Sequence, residues 1–199
     1  MTEGGSVAYD AVGDLPPLVR GALAVASRHG FDNSCAPEQG RLLSLLARGR
    51  AGGRIGETGT GCGVGMAWMV EAVDDSTDLF SVELDASRAA AAAALFVEHP
   101  HVNILQGDWR FLQQHGPFDL LVLDGGGKGK EPADDPPLDP VQWLSPGGMI
   151  VLDDFIPSGS SNASAHDSAR RYWLENPALR SVELRLSGTL STIVGTMRS

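Results

Sequence analysis

Residues 54–65 read RIGETGTGCGVG, and this stretch decides the fold. Residues 54–58 form a short strand that runs into a glycine-rich turn, and a helix follows over residues 64–73. Gly59, Gly61, Gly63 and Gly65 permit a tight turn and a close backbone approach to a ligand. Between a strand and a helix, such a loop reads as nucleotide-binding. Glycine-rich strand–helix turns also have purely structural uses, so the loop needs support from elsewhere in the chain.

On its N-terminal side two helices are expected. Residues 14–29 carry Asp14 as a cap and prolines in the first turn. Residues 38–48 turn Leu42, Leu43, Leu45 and Leu46 toward a core at helical spacing. On its C-terminal side strands and helices alternate. Residues 79–84 (LFSVEL) and 101–106 (HVNILQ) read as strands on either side of an alanine-rich helix over 87–98. Residues 118–124 (FDLLVLD) and 148–153 (GMIVLD) are near-continuous apolar strands, as in the buried centre of a parallel sheet. Such alternation implies βαβ units with right-handed crossovers, hence an α/β fold. The end differs: residues 182–186 and 191–197 are strands joined by a link short enough to make them antiparallel neighbours.

The segment 125–139, GGGKGKEPADDPPLD, is a loop by its glycines, prolines and charges. It follows the carboxyl end of a central strand, where open α/β sheets bind ligands. It is expected to be mobile and to close as a lid. A second polar stretch, 157–167, lies at the same edge.

A chain of 199 residues suits one domain. A formal net charge of −10 disfavours general binding to phosphate backbones, so nucleic acid is not the expected partner. No apolar run approaches the roughly 20 residues that span a bilayer, and residues 1–10 lack the look of a signal peptide. The two cysteines, Cys35 and Cys62, make neither a disulfide framework nor a zinc pattern; they fit a reducing, cytoplasmic setting. The five histidines form no paired ligand motif. No nucleophile elbow accompanies His166 and Asp167, and no lysine follows the glycine loop as in a phosphate-binding P-loop.

Acidic residues mark successive strand ends. Glu83 lies about 20 residues past the loop, where a carboxylate can accept from both hydroxyls of a ribose; a solvated strand end is the plain alternative. Asp108, in QGDW, is placed to meet an adenine amino group. Trp109 beside it either packs along that ring or belongs to the core. Asp124 ends the fourth strand, and Asp153 and Asp154 end the fifth. Neighbouring strands lie about 4.8 Å apart, so the three side chains can converge. Clustered carboxylates repel unless a cation joins them, and an all-oxygen set selects a hard ion such as Mg²⁺, Mn²⁺ or Ca²⁺. Metal-free proteins carry acids at strand ends too, and Asp154 has the alternative of capping a loop.

In this order the motifs resemble the class I S-adenosylmethionine-dependent methyltransferases. More narrowly they are similar to small-molecule O-methyltransferases of the catechol and caffeoyl-CoA type. The likeness covers roughly Cys35 to Met197 and is carried by CAPEQGRLLSLL, GETGTGCGVG, SVELDASRAAAA, QGDW, FDLLVLD and LSPGGMIVLDDF. It implies a Rossmann-like sheet, mostly parallel with an antiparallel C-terminal strand and helices on both faces. It also implies a single methyltransferase domain over 1–199, with N-terminal helices in 1–50 and the core in 51–199.

The resemblance further implies that Glu57, Gly59, Gly61, Gly63 and Gly65 surround the methionine half of S-adenosylmethionine. Glu83 would hold the ribose, Asp108 and Trp109 would flank the adenine, and Asp124 would face both cofactor and metal. Gly65 stands where the family often has a small hydroxyl residue; Asn33, Ser34 or Cys35 could supply the missing hydrogen bond. The family's metal triad is Asp, Asp, Asn, so Asp154 departs from it while keeping an oxygen ligand. Its usual lysine falls on Gly127 here, with Lys128 and Lys130 just beyond, and Lys128 is the expected proton acceptor.

The expected activity is therefore methyl transfer to a hydroxyl of a small aromatic or polyol-like molecule, assisted by a divalent cation; a homodimer follows only from the resemblance. Alternatives are a metal-independent methyltransferase acting on O, N or C, and a tRNA-modifying methyltransferase, against which the acidic balance counts. An NAD-dependent oxidoreductase and a non-catalytic cofactor-binding protein are further rivals; the oxidoreductase loop usually lacks the Glu57-x-Gly59 start.

Overall fold

A computed structural model describes residues 5–130, 135–160 and 167–198. Seven strands form one sheet in the order β3-β2-β1-β4-β5-β7-β6. They are β1 (Arg54–Thr58), β2 (Asp78–Glu83), β3 (Val102–Gln106), β4 (Phe118–Leu123), β5 (Leu144–Phe155), β6 (Leu179–Arg185) and β7 (Ser191–Met197). Only β7 runs against its neighbours, β5 and β6. The chain leaves β1 toward β2 and β3, then returns to the other side as β4 and β5. That reversal places a ligand crevice at the carboxyl ends of β1 and β4.

The helices are α1 (Pro17–Arg28), α2 (Pro37–Arg48), α3 (Val64–Val70), α4 (Ala86–Leu95), α5 (Pro140–Trp143) and α6 (Asp167–Leu174). Asp14 does not cap α1: the N-cap is Pro16, and no side chain caps that end. Leu15 and Pro16 each precede a proline, which pushes a residue out of the helical region. The helix therefore starts at Pro17, whose fixed φ suits the first helical position. Pro37 starts α2 in the same way. In α4 the cap is Asp85, whose carboxylate accepts from the Arg88 amide at 2.9 Å.

Alternating residues of the central strands feed two cores. Leu120, Val122 and Val151 face the α1–α3 layer with Val19, Leu43 and Met69. Leu121, Leu123, Ile150 and Leu152 face the other layer with Trp143, Phe155 and Trp173. The register between β4 and β5 shifts between Phe118 and Leu120, and Phe118 shares the second core with Leu121 and Leu123. The same irregularity absorbs residues 145–148, which is why β5 begins well before the expected 148. Among the described residues, no helix is long and apolar enough to cross a membrane.

Candidate functional site

The glycine loop hangs on β2. The amides of Gly59 and Thr60 both donate to the Val82 carbonyl, at 2.9 and 3.1 Å. The Gly61 amide donates to Glu83 Oε2 at 2.8 Å, and the Thr60 and Ser81 hydroxyls meet at 2.6 Å. Gly59, Gly61 and Gly63 have φ of 86°, 54° and 90°, a region that strains other residues. A Cβ on Gly59 would stand 2.5 Å from the Gly125 nitrogen, so β1 and β4 touch backbone to backbone where they end.

Gly65 has a local cause. A Cβ there would stand 2.5 Å from Oε1 of Glu57. The Glu57 side chain is buried, takes a hydrogen bond from Ser81 Oγ at 2.7 Å, and fills the space that a hydroxyl residue at 65 would use. Burial raises its carboxyl to about 8.

Beside the loop opens a cleft of about 570 Å³. It brings together Gly59, Glu83, Asp108, Trp109 and Asp124, with Lys128, Lys130 and Asp154 at one end. Gly61 and Gly65 instead line a narrow crevice on the far side of the loop, facing Asn33, Ser34 and Cys35. Asp124 borders both spaces. Gly63 starts α3, and Glu57 lies beneath the loop; neither borders the cleft.

Asp108 caps the short 3₁₀ turn Trp109–His115, accepting from the Arg110 amide at 2.9 Å and pairing with its guanidinium. Trp109 serves two roles. It lines the cleft, and it packs over the glycine run, where a Cβ on Gly126 would stand 2.1 Å from the indole.

The carboxylate cluster follows from register. Leu123 pairs with Leu152, so the next residues, Asp124 and Asp153, lie side by side. Asp154 then turns left-handed, with φ 65°, the sole such non-glycine among the described residues. Asp and Asn tolerate that conformation best, so the turn that aims Asp154 inward favours the same residue types that ligate. One carboxylate oxygen from each of the three lies within 4.8 Å of the others. Asp153 accepts from the Asp154 amide at 2.7 Å through Oδ1, while its buried Oδ2 has no hydrogen-bond partner among the described residues. Burial, with Asp124 and Asp154 beside it, pushes the Asp153 carboxyl up to about 7. An orphaned oxygen amid converging carboxylates fits a hard cation.

Two lysines reach the cluster. Lys128 is buried and donates to the Asp124 carbonyl at 2.7 Å. Lys130 donates to the carbonyls of Asp153, at 3.0 Å, and Asp154. Burial and the charge of Lys128 lower Lys130 to about 7. Sequence reasoning named Lys128 for the site and left Lys130 beside it; only their shared approach to the strand ends distinguishes either from a surface lysine.

The described ends of the 125–139 loop are tied down. Trp173 Nε1 donates to the Lys128 carbonyl at 2.8 Å, and Tyr172 Oη to that of Leu138 at 2.9 Å. The Gly127 amide donates to the Asp135 carboxylate at 2.9 Å. Tyr172 and Trp173 come from α6, which the sequence reading did not anticipate, so neither was a candidate.

A family model described as a methyltransferase domain matches residues 57–155. A catechol O-methyltransferase of Niastella koreensis is 31% identical over 161 residues, 70% of this chain and 68% of that protein. A relative from Mycolicibacterium paratuberculosis is 29% identical over 144 residues, 65% of this chain and 62% of its own length. In fold, the chain is similar to the O-methyltransferase from Bacillus cereus solved in complex with SAH: TM-score 0.74, 16% identity, 98% of this chain and 96% of that one. It is also similar to the O-methyltransferase TomG of Streptomyces achromogenes, solved with SAM: TM-score 0.73, 18% identity, with the same coverage of 98% and 96%.

Proposed function

The chain belongs to the class I S-adenosylmethionine-dependent O-methyltransferases, and we propose that it methylates a hydroxyl of a small molecule at the 570 Å³ cleft. The observation that carries this reading is the pairing of Leu123 with Leu152. It brings Asp124, Asp153 and the left-handed Asp154 together, and Asp124 and Asp154 line the same cleft as Glu83.

Glu83 binds the ribose hydroxyls of S-adenosylmethionine, and Asp108 and Trp109 flank its adenine. Gly59, Gly61 and Gly65 border the methionine half, with Asn33 and Ser34 opposite, while Gly63 and Glu57 shape the loop from behind. The sulfonium already makes the methyl group electrophilic, so the chain's task is to align nucleophile, carbon and sulfur. Asp124, Asp153 and Asp154 are the residues that would hold a divalent cation. Such an ion would lower the acceptor hydroxyl's pKa and orient its oxygen. The acceptor's proton passes to one of the two amines at the cluster. Lys128 is the one its place in the sequence suggests, and Lys130 reaches the same strand ends.

The experiment is methyl transfer from S-adenosylmethionine to a panel of small aromatic and polyol hydroxyl compounds, in chelator-treated protein with and without added Mg²⁺, Mn²⁺ or Ca²⁺. The expected result is transfer that requires the cation. Full activity in metal-free protein would favour the metal-independent reading instead.

A further inference from the structure

Glu83 is the carboxylate assigned above to the ribose, and one of its two oxygens is already fully engaged. Oε2 accepts the Gly61 amide at 2.8 Å. Oε1 accepts the Asp85 amide at 2.9 Å, Arg88 Nε at 3.2 Å and Arg88 Nη2 at 2.8 Å. A carboxylate offers about four lone-pair directions, two on each oxygen, and the four donors are shared unevenly between the two. A ribose diol bound through both oxygens needs one place on each. Oε2, with a single donor, has room. Oε1, with three, does not.

The donors differ in freedom. The Gly61 and Asp85 amides belong to the backbone of two turns that the fold fixes. Arg88 is a side chain on α4, 29% exposed beside a Glu83 that is 3% exposed, and it lines the cleft itself. It also has somewhere else to rest. Its guanidinium carbon lies 5.2 Å from the centre of the Phe31 ring, and Nη1 lies 3.9 Å from Asp85 Oδ2. Leaving Glu83 therefore does not strand the charge, because an aromatic face and a second carboxylate remain in reach.

We infer that Arg88 is a positioning residue that occupies the nucleoside site of the ligand-free protein, holding Glu83 until the ribose hydroxyls displace it from Oε1. This inference rests on the assignment of Glu83 to the ribose. In the free protein the guanidinium holds a buried carboxylate aimed into the cleft. On binding, the ion pair is exchanged for hydrogen bonds donated by the uncharged ribose hydroxyls, and the guanidinium moves toward Phe31 and Asp85. The intrinsic affinity of the site is thus reduced by the strength of the Arg88–Glu83 pair.

The sign of the expected effect separates this role from a merely supportive one. Calorimetric titration of the full chain with S-adenosylhomocysteine should show Arg88→Met binding about fivefold tighter than the wild type, the size of one partly exposed ion pair. The same variant, without ligand, should melt at a lower temperature. Arg88→Lys, which keeps one charge and loses the forked contact, should fall between. In a Glu83→Gln background, Arg88→Met should leave affinity unchanged, because the competition is for that carboxylate. Weaker or equal binding by folded Arg88→Met, or a gain that persists in the Glu83→Gln background, would overturn the role of Arg88. A wild-type chain that does not bind S-adenosylhomocysteine would instead overturn the proposed function.

Discussion

The Glu57 carboxylate stands where a side chain on residue 65 would go: a Cβ on Gly65 would lie 2.5 Å from Glu57 Oε1. The two positions are therefore one choice. A long acid at 57, hydrogen-bonded to Ser81, leaves no room for a side chain at 65 unless Glu57 shifts. In an unconstrained helix, Gly65→Ala would gain roughly 1 kcal/mol. Forcing a methyl group into filled space costs about 1–3 kcal/mol. We predict net destabilisation of Gly65→Ala in urea unfolding; stability at or above that of the wild type would show that Glu57 yields easily.

Glu57 also ties stability to pH. Its folded carboxyl sits at about 8, above an ordinary carboxylate, because burial disfavours the charge. Between about pH 4.5 and 8 the unfolded chain sheds this proton while the folded chain keeps it, so the folded state loses stability as pH rises through that window. Below it, both forms are protonated and the group is neutral to stability. The slope from this residue is at most about 1.4 kcal/mol per pH unit. Unfolding free energies of wild type and Glu57→Gln, compared from pH 5 to 8, should diverge as pH rises, with the variant falling less. Parallel curves would mean that Glu57 ionises normally.

The strands were the legible part of this chain. Residues 54–58 and 191–197 are bounded by turn-forming residues on the sequence itself, and β1 and β7 match them end to end. Of the candidate acids, Asp124 and Asp153 were legible because each directly follows an apolar run. What escaped depends on distant partners. Residues 144–147 join β5 through the register shift against β4. Helix α6 has few apolar residues, DSARRYWL, and its place is set by Ala169 and Trp173, one helical turn apart in the second core. Arg88 reads as an ordinary surface residue of an alanine-rich helix until Glu83 is seen beside it. The preference of Asp14 for capping lost to two prolines whose geometry delays the helix.

Trp173→Phe removes the indole donor and replaces a fully buried indole by a smaller aromatic ring. The Lys128 carbonyl then lacks its 2.8 Å partner, a loss of about 1–3 kcal/mol for a buried acceptor. Hydrogen exchange of amides 127–130 should quicken while the central strands stay protected. Methyl transfer should fall through kcat with little change in the KM for S-adenosylmethionine, since the tether lies at the acceptor end. Unaltered exchange would make the bond incidental.

The aspartate cluster can be probed without an acceptor. Mn²⁺ binding, followed by water proton relaxation, should be lost in Asp124→Ala. It should survive, weaker, in Asp154→Asn, which keeps an oxygen ligand and suits the left-handed turn at φ 65°. Equal Mn²⁺ binding by wild type and Asp124→Ala would place the ion elsewhere.

Cofactor identity underlies the whole account, and calorimetric titration with S-adenosylhomocysteine, with NAD⁺ as control, tests it most directly. The wild type should bind S-adenosylhomocysteine at one site per chain and show no heat with NAD⁺. Glu83→Ala, which loses charge-assisted bonds worth about 1.5–3 kcal/mol, should bind roughly 10- to 150-fold more weakly. No binding by the wild type, preference for NAD⁺, or unchanged affinity in a folded Glu83→Ala chain would contradict it.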